Sequence, residues 1–299
     1  MIQLVTFLHQ GEQKTGLLHE GNIYASPRYA RVQDVLDDWP RASEKLGALA
    51  GDLPGGREPL SGATLLAPLP HPPTIYFAGA NYRDHVEEMQ RELSMPLEVD
   101  PKGAGHAPWH AIKASGATVV GPDAQVRAPR GSPLLDWELE LGVVIGKTAK
   151  DVDLADAMEH VAGYVVANDL SARGHFGRPG VGEASPFKWD WIGQKSFDGA
   201  CPLGPAITPA RFVPDPMNLA MKLWVNGELM QDSNTSQMLF SIADQIAFLS
   251  SRLTLRPGDL ILTGTPAGVG LARKRFLQPG DVVRQWIEHI GSFQFTIAP

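Results

Sequence analysis

Residues 68–74 read Pro-Leu-Pro-His-Pro-Pro-Thr, four prolines in seven positions. Proline lacks an N–H and clashes with a preceding helical turn, so this stretch is neither a helix interior nor a central strand. It divides the chain into a small αβ unit over residues 1–70 and a larger unit over 71–299. In the first unit MIQLVTFL, KTGLLHE and GNIYAS have strand composition and are separated by glycine-containing turns. The following RVQDVLDDWPRASEKLGALA reads as two short helices interrupted at Pro40.

Beyond Thr74 the chain is strand-rich. TIYFAGA, ATVVG, WELELGVVIG, VAGYVVAND, NLAMKLWVNGELMQ, DLILTG, DVVRQWIEHI and SFQFTI all have β composition. Asn226-Gly227 sits between alternating flanks and accepts the positive φ angles of a two-residue hairpin turn. Helices are expected over 81–93, 152–161 and 241–253; in the last, Ile242, Ile246 and Leu249 form one apolar stripe behind a Ser241 cap. With 25 prolines and 31 glycines, this is a turn-rich α+β architecture and not an alternating α/β one.

The formal charge of -7 argues against nucleic-acid binding, which needs clustered Lys and Arg. The nearest basic run, Arg273-Lys274-Arg275, reads as a solvated loop. No apolar run approaches the roughly 18–20 residues that span a bilayer. The first residues lack the features of a secretory leader, and the single Cys201 excludes an internal disulfide framework. A cytoplasmic protein is expected.

Glu138-Leu139-Glu140-Leu141 has period two, so in a strand both glutamates leave one face and both leucines the other. The run continues into Gly142-Val143-Val144-Ile145, which suggests burial. Side-by-side buried carboxylates repel one another and each costs several kcal/mol uncompensated. A metal cation resolves this; so do two basic partners or exposure on an edge strand. VAGYVVAND likewise ends in a carboxylate, Asp169. Three carboxylates without Cys or His describe an all-oxygen site suited to Mg²⁺, Mn²⁺ or Ca²⁺, although spacing alone does not bring Asp169 to the glutamates.

Several ordered blocks, FAGANYRDHVEEM, DWELELGVVIGKTAKDV, VAGYVVANDLSAR, GQKSFDGACPLGP, LWVNGELMQDSNTSQMLFSIADQIAFLS and LRPGDLILTGTPAGVG, resemble the fumarylacetoacetate hydrolase family. The resemblance runs from about Thr74 to the C-terminus, and residues 1–70 resemble the small N-terminal domain of many bacterial members. It implies a mixed β-sheet roll, a homodimer, and one Mg²⁺ or Mn²⁺ (with Ca²⁺ as a further candidate) on Glu138, Glu140 and Asp169. It also implies a lid-helix pair, His85 and Glu88, that activates water, with Asp84 as an additional candidate. Residues i and i+3 share a helical face, which suits such a pair. Lys195 matches a lysine beside the metal, and Lys113, Arg173, Gly264 and Thr265 match the substrate side of the pocket. TGTPAGVG is not a phosphate loop, because the terminal Gly-Lys-Ser/Thr is missing.

The match breaks at two places. Gly174-His175-Phe176 stands where many members carry Asp, a hydrophobic residue and Gln; Ala111-Ile112-Lys113-Ala114 stands for a typical Phe-Leu-Lys-Pro. The segments 94–112 and 174–190 are long and rich in Gly and Pro, as rim loops or a mobile lid would be. The resulting expectation is hydrolysis of a C–C bond in an acylpyruvate-like 2-oxo/1,3-diketo acid, a small-molecule 2-oxo acid substrate. Decarboxylation, hydration or isomerisation on the same scaffold is the first alternative. A non-catalytic metal-stabilised binding protein is the second.

Overall fold

The computed structural model describes residues 1–49 and 58–299. In chain order its elements begin with β1 (Ile2–His9), β2 (Glu12–His19), β3 (Asn22–Ala25), α1 (Val32–Asp37), α2 (Trp39–Leu49) and β4 (Thr64–Leu65). Then come β5 (Ile75–Ala78), α3 (Arg83–Leu93), β6 (His110–Lys113), β7 (Val119–Val120), β8 (Gln125–Val126), β9 (Leu135–Asp136) and β10 (Leu139–Ile145). The next group is β11 (Val161–Asn168), β12 (Ser171–Ala172), α4 (Trp191–Lys195), β13 (Cys201–Pro209), β14 (Ala220–Val225) and β15 (Glu228–Asn234). The chain closes with α5 (Ile242–Arg252), β16 (Leu260–Leu262), α6 (Gly270–Arg273), β17 (Val282–Ile287) and β18 (Gly291–Ile297).

An 11-stranded mixed sheet runs in the order β3-β2-β1-β13-β11-β10-β16-β5-β6, with β4 on β1 and β7 on β13. A 5-stranded sheet, β15-β14-β17-β18-β8, covers one of its faces. The alternation of β10 explains the layering. Leu139, Leu141, Val143 and Ile145 join Leu223, Val225, Val283 and Phe295 in the inter-sheet core. Val144, on the opposite face, packs with Leu36 and Trp39 in a second cluster. Glu140 shares that second face, as period two requires. At the β14–β15 turn, Asn226 and Gly227 both take positive φ, the geometry expected of Asn-Gly. Ser241 caps α5 through a full capping box with Asp244.

The N-terminal strands continue the main sheet: β1 pairs antiparallel with β13, Leu4 opposite Ile207. The composition change near residue 70 therefore crosses no gap in the hydrogen-bonded sheet. Pro40 lies in the first turn of α2, where its missing N–H costs nothing, and the break falls at Asp38. Ala50, at the end of the expected helical stretch, lies outside the described residues.

One expected helix is not formed. Residues 152–161 do not form a helix; a 3₁₀ turn spans only Ala157–His160. Leu154 is exposed, so the apolar pattern has no surface to bury against. The backbone N–H groups of Asp151 and Val152 bond instead to the Ser250 carbonyl and hydroxyl at the end of α5. β13, to which the sequence reading assigned no element, is a buried strand despite Pro202, Pro205 and Pro209. Its pairing with β11 shifts register between Tyr164 and Val166, the kind of irregularity that tolerates proline. Within Arg273-Lys274-Arg275, Arg273 bonds the Met230 carbonyl and Arg275 pairs with Glu228, so the run fastens α6 to β15.

Candidate metal and active site

Antiparallel pairing of β10 with β11 sets Leu139 opposite Asn168, which brings the start of one strand to the end of the other. Asp169 N donates to the Glu138 carbonyl at 2.9 Å, and Asn168 Oδ1 accepts from Glu138 N at 3.0 Å. Strand register thus supplies the link that sequence spacing lacked. One oxygen from each of Glu138, Glu140 and Asp169 lies within 4.8 Å of the others, and all three residues are buried.

The carboxylates are compensated unequally. Lys195 Nζ lies 2.6 Å from Glu138 Oε2 and 2.5 Å from Asp169 Oδ2. Arg173 donates to Glu138 Oε1 at 2.6 Å, and Lys113 Nζ lies 2.9 Å from Asp169 Oδ1. Burial pushes the Glu138 carboxyl up, but Lys195 and Arg173 outweigh it and bring the group down to about 2. Among the described residues Glu140 has no cation in contact; its Oε2 accepts from Gly264 N at 2.6 Å while its Oε1 has no hydrogen-bond partner. Burial, then the charges of Asp169 and Glu138, drive its carboxyl well above the usual range. A divalent cation among these oxygens removes that repulsion, and an all-oxygen donor set matches Mg²⁺ or Mn²⁺. The residues fit the ion.

Asn81 fastens the start of α3: its side-chain amide bonds the Phe240 and Thr263 carbonyls, and its Oδ1 accepts from Phe240 N. Asp84 Oδ2 accepts from the Ser233 hydroxyl. The helix carries His85 and Glu88 inward on one face, and His85 lines the cavity beside Glu138. Burial is the main cause that pulls His85 down to about 4, so the imidazole is neutral near pH 7. His85 Nδ1 has no partner and stands 4.0 Å from Glu88 Oε2. That oxygen accepts instead from Gly268 N at 2.8 Å. Gly268 has φ +101°, and a Cβ there would meet the Met230 carbonyl at 2.1 Å, so this donor position requires glycine.

The remaining expected residues divide. Arg173 and Thr265 line the cavity. The Thr265 hydroxyl donates to the Leu139 carbonyl and accepts from Gln231, so it also fastens the loop to β10. Lys113 and Gly264 are not on the cavity wall. Lys113 is wholly buried, bonded to the Lys195 and Ala200 carbonyls as well as Asp169, and Gly264 contacts Glu140. Buried carboxylates draw both groups inward. Asp136 was missed by sequence reasoning. It is buried, accepts from Gly270 N, Leu271 N and Arg173, and so holds the α6 start and the arginine together. The available signal was its place two residues before Glu138, extending the alternation to three acids.

The site opens into a cavity of about 580 Å³. Glu138, Lys195, Arg173, His85 and Gln194 line it, together with Phe77, Trp109, Phe176 and Trp191. Phe176, the departure from the family pattern, has its ring centroid 4.6 Å from those of Trp189, tilted at 31°, and Trp191, edge-on at 66°.

The structure is a two-sheet roll with three buried acids, a set that could hold a metal ion, at the β10–β11 junction and α3 beside the cavity. The family model for the fumarylacetoacetate (FAA) hydrolase C-terminal region matches residues 74–298. A mitochondrial oxaloacetate tautomerase of Bos taurus is 43% identical over 247 residues, 82% of this chain and 72% of its own. Its Homo sapiens counterpart is 42% identical over 246 residues, with the same coverage of 82% and 72%. Among solved structures, a fumarylacetoacetate hydrolase from Exiguobacterium antarcticum has TM-score 0.80 and 29% identity, covering 100% of this chain and 99% of its own. Maleylpyruvate hydrolase from Sphingobium sp. SYK-6, in complex with manganese(II) and pyruvate, has TM-score 0.72 and 29% identity over 99% and 98%. This chain belongs to the fumarylacetoacetate hydrolase family and is an enzyme of that superfamily. Among the described residues no helix is long and apolar enough to cross a membrane.

Proposed function

We propose that the chain is a divalent-metal-dependent enzyme that hydrolyses a C–C bond in an acylpyruvate-like 2-oxo/1,3-diketo acid. The observation that carries the reading is that Glu138, one member of the three-acid site, lines one cavity with Lys195 and His85. Glu138, Glu140 and Asp169 would hold Mg²⁺ or Mn²⁺, and the bound ion supplies Lewis acidity toward the 2-oxo acid oxygens. Charge balance supports this. Among the described residues, Asp136, Glu138, Glu140 and Asp169, if all are ionised, face Lys113, Arg173 and Lys195, a deficit of one positive charge. A divalent ion turns the deficit into an excess of one, which a single substrate carboxylate neutralises.

His85 then accepts a proton from water, and contact with Glu88 across the present gap raises its basicity. The water oxygen bonds to the distal carbonyl carbon. The C–C bond toward the pyruvyl half breaks, leaving its electron pair as an enolate. The Lys195 ammonium stabilises that charge, and the proton on His85 returns to the enolate carbon. Tautomerisation of a 2-oxo acid is a second reading, favoured by the oxaloacetate tautomerases among the relatives. It needs the same proton movement without the water attack. The reading includes a cytoplasmic homodimer, which sedimentation of the purified protein checks for assembly.

The test is an ultraviolet assay of acylpyruvates and oxaloacetate with Mn²⁺. Loss of diketone absorbance with two acid products supports hydrolysis. Accelerated enol–keto equilibration without cleavage supports the second reading. No turnover of any of these, with or without metal, contradicts both.

A further inference from the structure

The aromatic residues of the cavity form one connected wall that starts at the metal site. Phe77 lies with its ring centroid 5.4 Å from Lys195 Nζ. From there Phe77 meets Trp109 and Trp191 at 6.1 Å each, Trp109 meets Trp191 at 5.0 Å, and Phe176 closes on Trp191 at 4.6 Å. Gly79 makes room for this wall, since a Cβ on it would stand 2.6 Å from a Trp109 ring carbon. Met89, Met95, Leu97 and Leu271 supply the other apolar lining. Trp109 remains 45% exposed and Trp191 37% exposed, a large apolar surface left open at a cavity mouth.

The charges in the same cavity point the same way. Its only lining cations among the described residues are Arg173 and Lys195. Arg173 is engaged with Asp136 and Glu138, and Lys195 with Glu138 and Asp169. A second carboxylate at the far end of a substrate would lose hydration without gaining a cation. An aryl or alkyl group would bury its surface against three rings.

We infer that Trp109, Phe176 and Trp191 form a subsite for an apolar, preferably aromatic, substituent at the distal end of the substrate, so that the chain selects aryl-ended over carboxylate-ended 2-oxo acids. The inference rests on the 2-oxo acid reading above and narrows its substrate class.

Isothermal titration of the Mn²⁺-loaded protein with pyruvate, phenylpyruvate and 2-oxoglutarate tests it, on the native chain, Trp109→Ala and Phe176→Ala. The expected result is phenylpyruvate binding roughly tenfold tighter than either of the others. In both variants that advantage falls below about threefold while pyruvate affinity is unchanged, which also shows that each variant is folded. Metal-dependent pyruvate binding with no gain for phenylpyruvate overturns the subsite and leaves the 2-oxo acid reading standing. Phenylpyruvate binding that depends on the wall, without metal-dependent pyruvate binding, keeps the subsite and contradicts that reading. No binding of any of the three overturns both. A changed sedimentation coefficient in the variants, with ligand ratios intact, assigns the wall to contact with a second copy and also overturns the subsite.

Discussion

His85 Nδ1 stands 4.0 Å from Glu88 Oε2, and Glu88 spends that oxygen on Gly268 N. The two residues share a helical face but do not form a dyad at this separation, which exceeds hydrogen-bond length. The proposed mechanism needs the gap to close when substrate docks beneath α3. His85→Ala is then expected to lower kcat by about 10²–10⁴-fold while Mn²⁺ content stays at the native level. Glu88→Gln should fall between the two proteins in kcat. Steady-state kinetics with metal analysis checks both, and native turnover in His85→Ala contradicts the assignment.

Lys195 bridges Glu138 and Asp169 in a buried setting. Burial pulls its ammonium down, and the two carboxylates outweigh that and raise it. Lys195→Met leaves two buried acids short of a cation, which costs about 3–5 kcal/mol in the metal-free protein. Chemical denaturation with and without Mn²⁺ measures this. The metal should recover part of the loss, because it supplies positive charge to the same oxygens.

Glu140→Gln should act in the opposite sense. Burial and two neighbouring acids hold the Glu140 carboxyl well above its ordinary range, so ionising it in the metal-free fold works against stability. The amide should raise the metal-free Tm and shrink the Tm rise on adding Mn²⁺. For the native protein that rise corresponds to about 2.7 kcal/mol at a hundredfold excess over Kd. Equal Tm rises in native and variant proteins would argue against Glu140 as a ligand.

His110 sets a separate acid limb in the stability profile. Burial pulls its imidazole down to about 4, and its Nδ1 has no partner while Nε2 lies 3.2 Å from Gln245 Oε1. The unfolded chain, with an ordinary His pKa near 6.5, binds more protons than the folded one between about pH 4 and 6.5. Stability therefore falls as pH drops through that window, by about 2 kcal/mol from this residue at pH 5. His110→Phe should lose less stability than the native protein between pH 7 and pH 5, measured by urea midpoints.

Much of the site was legible because its chemistry is carried by residue type and period. Glu138 and Glu140 alternate with leucines, and the structure keeps that alternation in β10. What sequence withheld was register. Asp169 reaches Glu138 only through the β10–β11 ladder, and no local pattern encodes which strands pair. Lys113 illustrates a second limit: the resemblance assigns it to the substrate side, and sequence does not show that its buried ammonium pairs with Asp169. The strand over Cys201–Pro209 was hidden by prolines that an irregular ladder tolerates, and the 152–161 stretch kept a helical pattern that no surface was available to bury.

Every step of the proposed reaction depends on one divalent ion held by Glu138, Glu140 and Asp169. Titration calorimetry with Mn²⁺ on the native chain, Glu138→Ala and Asp169→Ala tests it most directly, with circular dichroism confirming the fold of each. One ion per native chain and loss of measurable binding in both variants is the predicted result. Unchanged stoichiometry and affinity in two folded variants would contradict it.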